Sequence, residues 1–544
     1  MNRENEKRPV GLIIGGISLS PDEESAEACN IAAKEMKRAG IDPARLRFSI
    51  CKSSVDARKK KDVRLVYSVA VQSADGKSAI RAPKSKYTVS PLYDEELTFS
   101  IGSEKSKYPP LVVGMGPAGL FCALLLAENG YAPVIIDRGD SVKDRVRSHK
   151  RFVKLGILDT ESNIQFGAGG AGTFSDGKLM TRVNDPRISY VLRRFCEFGA
   201  PEEIQIKAKP HIGTDLLCGI VDGILSRIEE LGGRVLYRTR LDGIEKCADG
   251  TVTARTSKGD IPCSSVCLAI GHSARDTYEM LMKKGYAIEV KPFSVGVRIE
   301  HLQSRIDEAL YGSFAGHPKI GKGEYHLSDT STGRGVYTFC MCPGGEVVAA
   351  ASEDGGVVVN GMSRFSRDGK NANSAVCVSV RPEDHGNTPM SAIEFQRALE
   401  RKAFSAGGSN YCAPVQTVGD FLSEGQGSEP TEVLPTYRGG AVRLASMDGC
   451  LPTFVCKELR YGLMSFERKI AGFSSDTAVL SGVETRTSSP LRILRGENLT
   501  ALGNDGIYPC GEGAGYAGGI TSAALDGIRV AEKIMSRFAP TENK

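Results

Sequence analysis

The sequence predicts an α/β fold: a Rossmann-type nucleotide-binding domain, an inserted strand-rich α+β substrate domain and a small N-terminal α+β domain. Three observations carry this reading. An apolar strand at Leu111–Val113 runs into a glycine-rich turn that opens an apolar helix. A second strand then ends at the carboxylate of Asp137. Near the other end of the chain, a short strand again meets a glycine-rich turn and a helix, at 506–535.

The chain has 544 residues, 41% hydrophobic and 25% charged, which is ordinary globular composition and enough for three or four domains. No apolar run approaches the ~20 residues that span a bilayer, so no membrane partner is expected. Residues 10–19 are apolar but glycine-rich, soon followed by Pro21, Asp22, Glu23 and Glu24, and they read as a strand rather than a leader. The 15 cysteines are scattered through apolar contexts, which suits reduced thiols and a cytoplasmic location.

A helix is expected over 22–39, because Ala26, Cys29, Ala32, Ala33 and Met36 recur at helical spacing before Gly40. Alternating stretches at 46–50, 63–72 and 87–89 predict strands, and together these form a domain over 1–108. Within 41–90 there are 12 Lys+Arg against 4 Asp+Glu, centred on Arg58-Lys59-Lys60-Lys61. Such a patch suits nucleic acid through phosphate contacts, but a solvated face is the reading favoured here.

The nucleotide-binding domain is expected at 109–290, completed by 491–544. In Gly114-Met115-Gly116-Pro117-Ala118-Gly119, Gly114 permits the tight turn and Gly116 lets backbone approach a pyrophosphate. Gly119 allows close helix packing, and the helix start offers N–H groups to phosphate. Asp137 then accepts ribose hydroxyls, with Arg138 beside it. The far motif decides the cofactor. There Gly511-Glu512 follows a strand, and Gly518-Gly519-Ile520 opens a helix over 521–535. Between the two motifs, a strand at 265–271 ends in Ala269-Ile270-Gly271. This order is similar to the glutathione-reductase superfamily, which implies FAD, with Glu512 on a ribityl hydroxyl and the last helix facing the flavin.

Several stretches resemble one bacterial family, the FAD-dependent (NAD/FAD-utilising) dehydrogenases. They include Ser54-Val55-Asp56-Ala57-Arg58-Lys59-Lys60, residues 165–179, Lys209-Pro210-His211-Ile212-Gly213-Thr214-Asp215, and Gly271-His272-Ser273-Ala274-Arg275-Asp276-Thr277. Residues 292–301, Phe339-Cys340-Met341-Cys342-Pro343-Gly344-Gly345, 484–490 and the C-terminal motif complete the set. Asp137 and Glu512 each stand where the other acidic residue is more usual, and Leu302 stands where proline is expected. By this resemblance the loop carrying Gly169, Gly170 and Gly172 passes over the flavin, and Thr173, Ser175 and Lys178 reach cofactor atoms.

Lys178, His211 and His272 are the catalytic candidates, weighed against structural roles. Thr214 and Asp215 flank a helix start and suit N-capping. Cys340 and Cys342 lie at strand spacing on one face, which suits a metal or a redox pair, but no second ligand cluster accompanies them and buried small hydrophobes are the default. Cys263 and Cys267 likewise lack a second ligand pair, so no metal is expected. Arg298 and Arg334 are candidates for an anionic substrate. The inserted domain is expected at 291–490, with strands at 293–300 and 336–351, helices at 391–404 and 454–469, and a polar loop at 363–376. The reading is a FAD-dependent oxidoreductase of a small-molecule substrate, with NAD(P)H as a diffusible reductant. A flavoprotein acting on RNA and a non-catalytic flavin-binding protein are the alternatives.

Overall fold

The computed structural model describes residues 9–76, 80–93, 97–425 and 427–540, a mixed α/β protein that divides into two compact units. One unit comprises 1–98, 184–211 and 307–323; the other comprises 99–183, 212–306 and 324–544.

The smaller unit is built on a four-stranded antiparallel sheet in the order Leu46–Asp56, Arg64–Ser73, Gly11–Leu19, Thr88–Leu92. A register shift between Gly15 and Ile17 lets Gly11–Leu19 send both Ile14 and Ile17 inward, where they meet Ala28, Ala32 and Met36 of the helix Ala26–Arg38. The helix begins four residues later than its periodicity suggests. Ser25, still in a helical conformation, precedes it. The backbone of Ser53 donates to the Ile206 carbonyl at 2.7 Å, tying 184–211 to the edge strand of this sheet.

The larger unit holds a parallel sheet in the order Ile507–Pro509, Val266–Leu268, Leu111–Val113, Val134–Ile136, Arg234–Leu236. Every residue of its three central strands is buried, which is what a parallel sheet covered on both faces requires. The helix Pro117–Glu128 has no polar face and lies beneath the C-terminal helix Ile520–Arg537. Gly527 makes that packing close, since a Cβ there would sit 2.0 Å from the Ala118 carbonyl oxygen.

The same unit contains a seven-stranded mixed sheet: Ser328–Asp329, Val336–Cys342, Asn371–Val380, Phe293–Leu302, Val479–Glu484, Ala413–Thr417, Val442–Leu444. Here one expectation is corrected. Residues 371–376, read as part of a polar loop, begin a buried strand at the middle of this sheet. Their polar side chains are spent inside it: Asn373 accepts from Arg298 at 2.7 Å and Asn371 donates to Glu300 at 3.1 Å. The helices Pro389–Ala406 and Thr453–Lys469 lie where periodicity put them. The strand expected at 336–351 is two, Val336–Cys342 and Gly345–Ala349, turned at Pro343-Gly344. No helix among the described residues is long and apolar enough to cross a membrane.

Candidate functional site

The strand order of the parallel sheet reverses between Leu111–Val113 and Val266–Leu268. The carboxyl ends of strands at such a switch point leave a crevice suited to a ligand. Three turns converge there. Gly114 has φ +104°, and a Cβ on it would lie 2.2 Å from the Ala269 carbonyl oxygen. Gly119 is pressed against the Gly114 carbonyl, which a Cβ would approach to 1.8 Å. Gly513 lies on Gly271 in the same way, at 2.5 Å. Gly116 differs. A Cβ there would meet only the Cα of Gly170, at 3.9 Å, so its lack of a side chain leaves space rather than allowing contact.

The loop carrying Gly169, Gly170 and Gly172 crosses this turn. Gly169 donates to the Met115 carbonyl at 2.8 Å, and a Cβ on Gly172 would sit 3.2 Å from Ile520 and 3.7 Å from Pro117. The first loop therefore touches the starts of both long helices. Each helix has a glycine N-cap, Gly116 or Gly519, and neither has a capping side chain. Their first-turn N–H groups and dipoles face the ligand side without side-chain competition.

A single buried cation shapes that loop. Arg145, fully buried, donates to the carbonyls of Asn163 and Ala168 at 2.7 Å each and to that of Ile164. Its guanidinium lies 4.8 Å from the Phe174 ring centroid, and burial lowers its pKa to about 10. Gly167 must be glycine here, because a Cβ would come within 2.7 Å of the Arg145 side chain.

The carboxylates are already engaged. Asp137 accepts from the backbone of Met115 at 2.9 Å and of Gly139 at 2.8 Å, so it organises the glycine turn while its remaining lone pairs stay available. Glu512 lies 3.4 Å from Nδ1 of His272, whose buried Nε2 has no hydrogen-bond partner among the described residues. Arg138 pairs with Glu161 and Asp276 and covers the Phe166 ring. Ser175 spends its hydroxyl on the Gly172 carbonyl, and Thr173 lies 3.4 Å from that of Ala168. The open cradle at Gly116, the two uncapped helix starts and the orphaned His272 nitrogen together fit an anionic dinucleotide.

Residues 292–487 match the family model described as "FAD-dependent protein, C-terminal domain-like", and 14–72 match a domain of unknown function. An uncharacterised protein of Clostridium beijerinckii is 45% identical over 542 residues, covering 97% of this chain and 99% of that protein. The chain belongs to this family of FAD-dependent proteins. Among solved structures, CtdE in complex with FAD is 12% identical, with 79% of this chain and 86% of that one covered at a TM-score of 0.32. L-amino acid deaminase from Proteus vulgaris is 12% identical, with 82% and 97% covered at 0.33. Family membership rests on the full-length relative.

Other sequence candidates have settled partners. Lys178 is ion-paired with Asp176 at 2.7 Å and with Glu324 at 3.5 Å, beside Arg367, which also binds both carboxylates. His211 belongs to the smaller unit, whereas His272 and Lys178 belong to the larger. The helix Thr214–Glu230 is not capped by Thr214 or Asp215. Gly213 precedes it, Thr214 donates to the Thr173 carbonyl at 2.6 Å, and Asp215 accepts from the Phe365 backbone at 2.8 Å. Arg298 is fully buried against Glu484, and Arg334 pairs with Asp384 at 2.6 Å, so neither offers a free guanidinium to a substrate anion.

Two residues that the sequence did not single out hold the far turn in shape. Asp526 accepts from the Gly511 backbone at 2.7 Å while paired with Arg495, and Tyr278 donates to the Gly513 carbonyl at 2.6 Å. The signal for Asp526 was there to read: one carboxylate among Ala523, Ala524 and Leu525 on a buried helix face.

Proposed function

We propose that this FAD-dependent protein binds FAD in the crevice of the parallel sheet and acts as an oxidoreductase on a small-molecule substrate. The observation that carries this is the convergence of three glycine turns on two helix starts that no side chain caps. Gly114, Gly116, Pro117, Ala118 and Gly119 hold the pyrophosphate, with Gly169, Gly170 and Gly172 closing over it. Asp137 accepts from the adenosine ribose, and Glu512, steadied by His272, from the ribityl chain. Gly518, Gly519 and Ile520 bring the C-terminal helix start to the flavin. Bound there, the flavin supplies two-electron redox chemistry, and the protein contributes orientation and electrostatics. NAD(P)H serves as a diffusible reductant. The family match at 292–487 lies within the inserted domain, which we assign to 291–490, beside a nucleotide-binding domain of 109–290 and 491–544 and an N-terminal domain of 1–108.

The direct test is the cofactor that heat releases from purified protein, together with turnover on a panel of donor–acceptor pairs. Release of FAD with turnover is expected; release of FMN, or of no flavin, sinks the proposal. A second test concerns the C-terminal helix. A helix N-terminus stabilises nearby negative charge by ~0.3–1 kcal/mol, so Gly518→Asp opposes reduction of the flavin. A Cβ at Gly518 meets nothing within 4 Å, so the fold tolerates it. With ~30 mV equivalent to ~1.4 kcal/mol for two electrons, the potential is expected to fall by some tens of millivolts at most. Spectroelectrochemistry showing an unchanged or raised potential would separate that helix start from the flavin.

A further inference from the structure

The strand Val336–Cys342 does not run regularly to its end. Its pairing with Asn371–Val380 slips between Phe339 and Cys342, and Cys340 adopts φ +45°, which favours glycine over any side chain. This irregularity gathers a charged group around two sulfurs. The Cys342 Sγ donates to the Cys340 carbonyl at 3.3 Å. Arg298 donates to that same carbonyl at 2.6 Å and reaches the Cys342 sulfur at 3.5 Å. These are not the apolar surroundings in which cysteine passes as a small hydrophobe. Cys340 is half-buried and Cys342 is fully buried, so the two differ in access.

We propose that Cys340 and Cys342 form a redox-active dithiol, Cys340 attacking and Cys342 resolving, that reduces organic disulfides. The Cys340 thiolate sulfur bonds to one sulfur of the substrate disulfide, whose S–S bond breaks and expels the first thiolate. The Cys342 sulfur, giving up its proton, then bonds to the Cys340 sulfur and expels the second. The substrate gains two electrons and becomes two thiols, one taking the Cys342 proton and the other the proton that Cys340 released to solvent on ionising, and the protein is left with a Cys340–Cys342 disulfide. These steps use only the protein's own sulfurs, so they stand or fall separately from the flavin reading.

The electrostatics agree with this division of labour. The neighbouring Cys342 side chain, with Arg298 and Lys178 assisting, pulls the Cys340 thiol below the ordinary range, against burial and the Asp176 carboxylate. Cys342 is pushed well up, by the Cys340 side chain and by burial. Glu484, across from Arg298, is raised to about 7, mainly by burial. A thiolate is the nucleophile in disulfide exchange, so the more acidic and more accessible sulfur attacks.

The test uses the intact holoprotein and oxidised glutathione. Trypsin cuts after Arg334 and Arg364, so both cysteines fall in one peptide that contains no other. After incubation, acid quench and alkylation, that peptide is expected to lose both alkylation sites together. The Cys342→Ser protein is expected to carry glutathione on Cys340 instead, with an alkylation midpoint below the ~8.5 of a free thiol. The exposed Cys247 is the internal standard. If Cys247 takes up glutathione while the wild-type peptide keeps two free thiols, the proposal is overturned. A Cys342→Ser protein with no adduct on Cys340 overturns it equally.

Discussion

Gly116→Val is expected to give a folded protein that has lost its flavin. Gly116 has φ −74° and ψ 178°, extended backbone that valine adopts without strain. A Cβ at this position meets only the Gly170 Cα at 3.9 Å, so the fold has room for it. The valine methyl groups fill the space through which a pyrophosphate approaches the helix start. Bound flavin, read from the visible spectrum of purified protein, should fall at least tenfold. Thermal stability should fall only by the share that the ligand contributed, about 2.7 kcal/mol for a ligand present at a hundred times its Kd. Gly119→Ala is the contrasting variant: its Cβ would lie 1.8 Å from a backbone oxygen, so it should damage folding itself. A Gly116→Val protein that purifies with a full complement of FAD would remove the glycine turn from the cofactor site.

Glu400→Gln should be the most destabilising substitution in the larger unit. The Glu400 carboxylate is buried and meets the Arg275 guanidinium at 2.8 Å, that of Arg486 at 2.9 Å and the Thr485 hydroxyl at 2.7 Å. Burial alone would raise its pKa, yet the two guanidiniums hold it far below the ordinary carboxylate range. The amide keeps the shape but leaves two buried cations short of their shared anion, a loss of about 3–5 kcal/mol. Glu394→Gln, whose half-exposed carboxylate is one of three on Arg397, should cost under ~1 kcal/mol. The pH dependence follows from the sign of the shift. A carboxyl with a depressed folded pKa contributes stability above its unfolded value, near 4.3, and that stability fades as pH falls toward the folded value. Wild-type denaturation midpoints should therefore drop below pH ~4.5 more steeply than those of Glu400→Gln. Parallel curves for the two proteins would remove Glu400 from the acid response.

What the sequence disclosed follows from the range of each interaction. The turn at Gly114 and Gly116 was legible because its requirement is steric and local, written in residues a few positions apart. The strand Asn371–Val380 was not, since Asn371 and Asn373 read as solvent-facing until Arg298 and Glu300 on the neighbouring strand give them partners. Distance along the chain also hid the ion pairs of Glu400, whose arginines lie on either side of it at 275 and 486. Cys340 and Cys342 were visible as a spacing. Their environment depended on a slip in strand pairing that no spacing reports.

Arg145 ties the helix Val142–Leu155 to the loop before Gly169. The loop carbonyls of Asn163, Ile164 and Ala168 all converge on this one side chain, which the helix Val142–Leu155 carries. Releasing any part of the loop would strand a buried cation, so the loop and helix open as one cooperative segment. Amide hydrogens on 163–168 should then exchange with solvent at the pace of those in the helix rather than at the pace of surface turns. The loop's shape is in that sense on loan from the helix, and any change that frays the helix reaches the glycine turn without touching it.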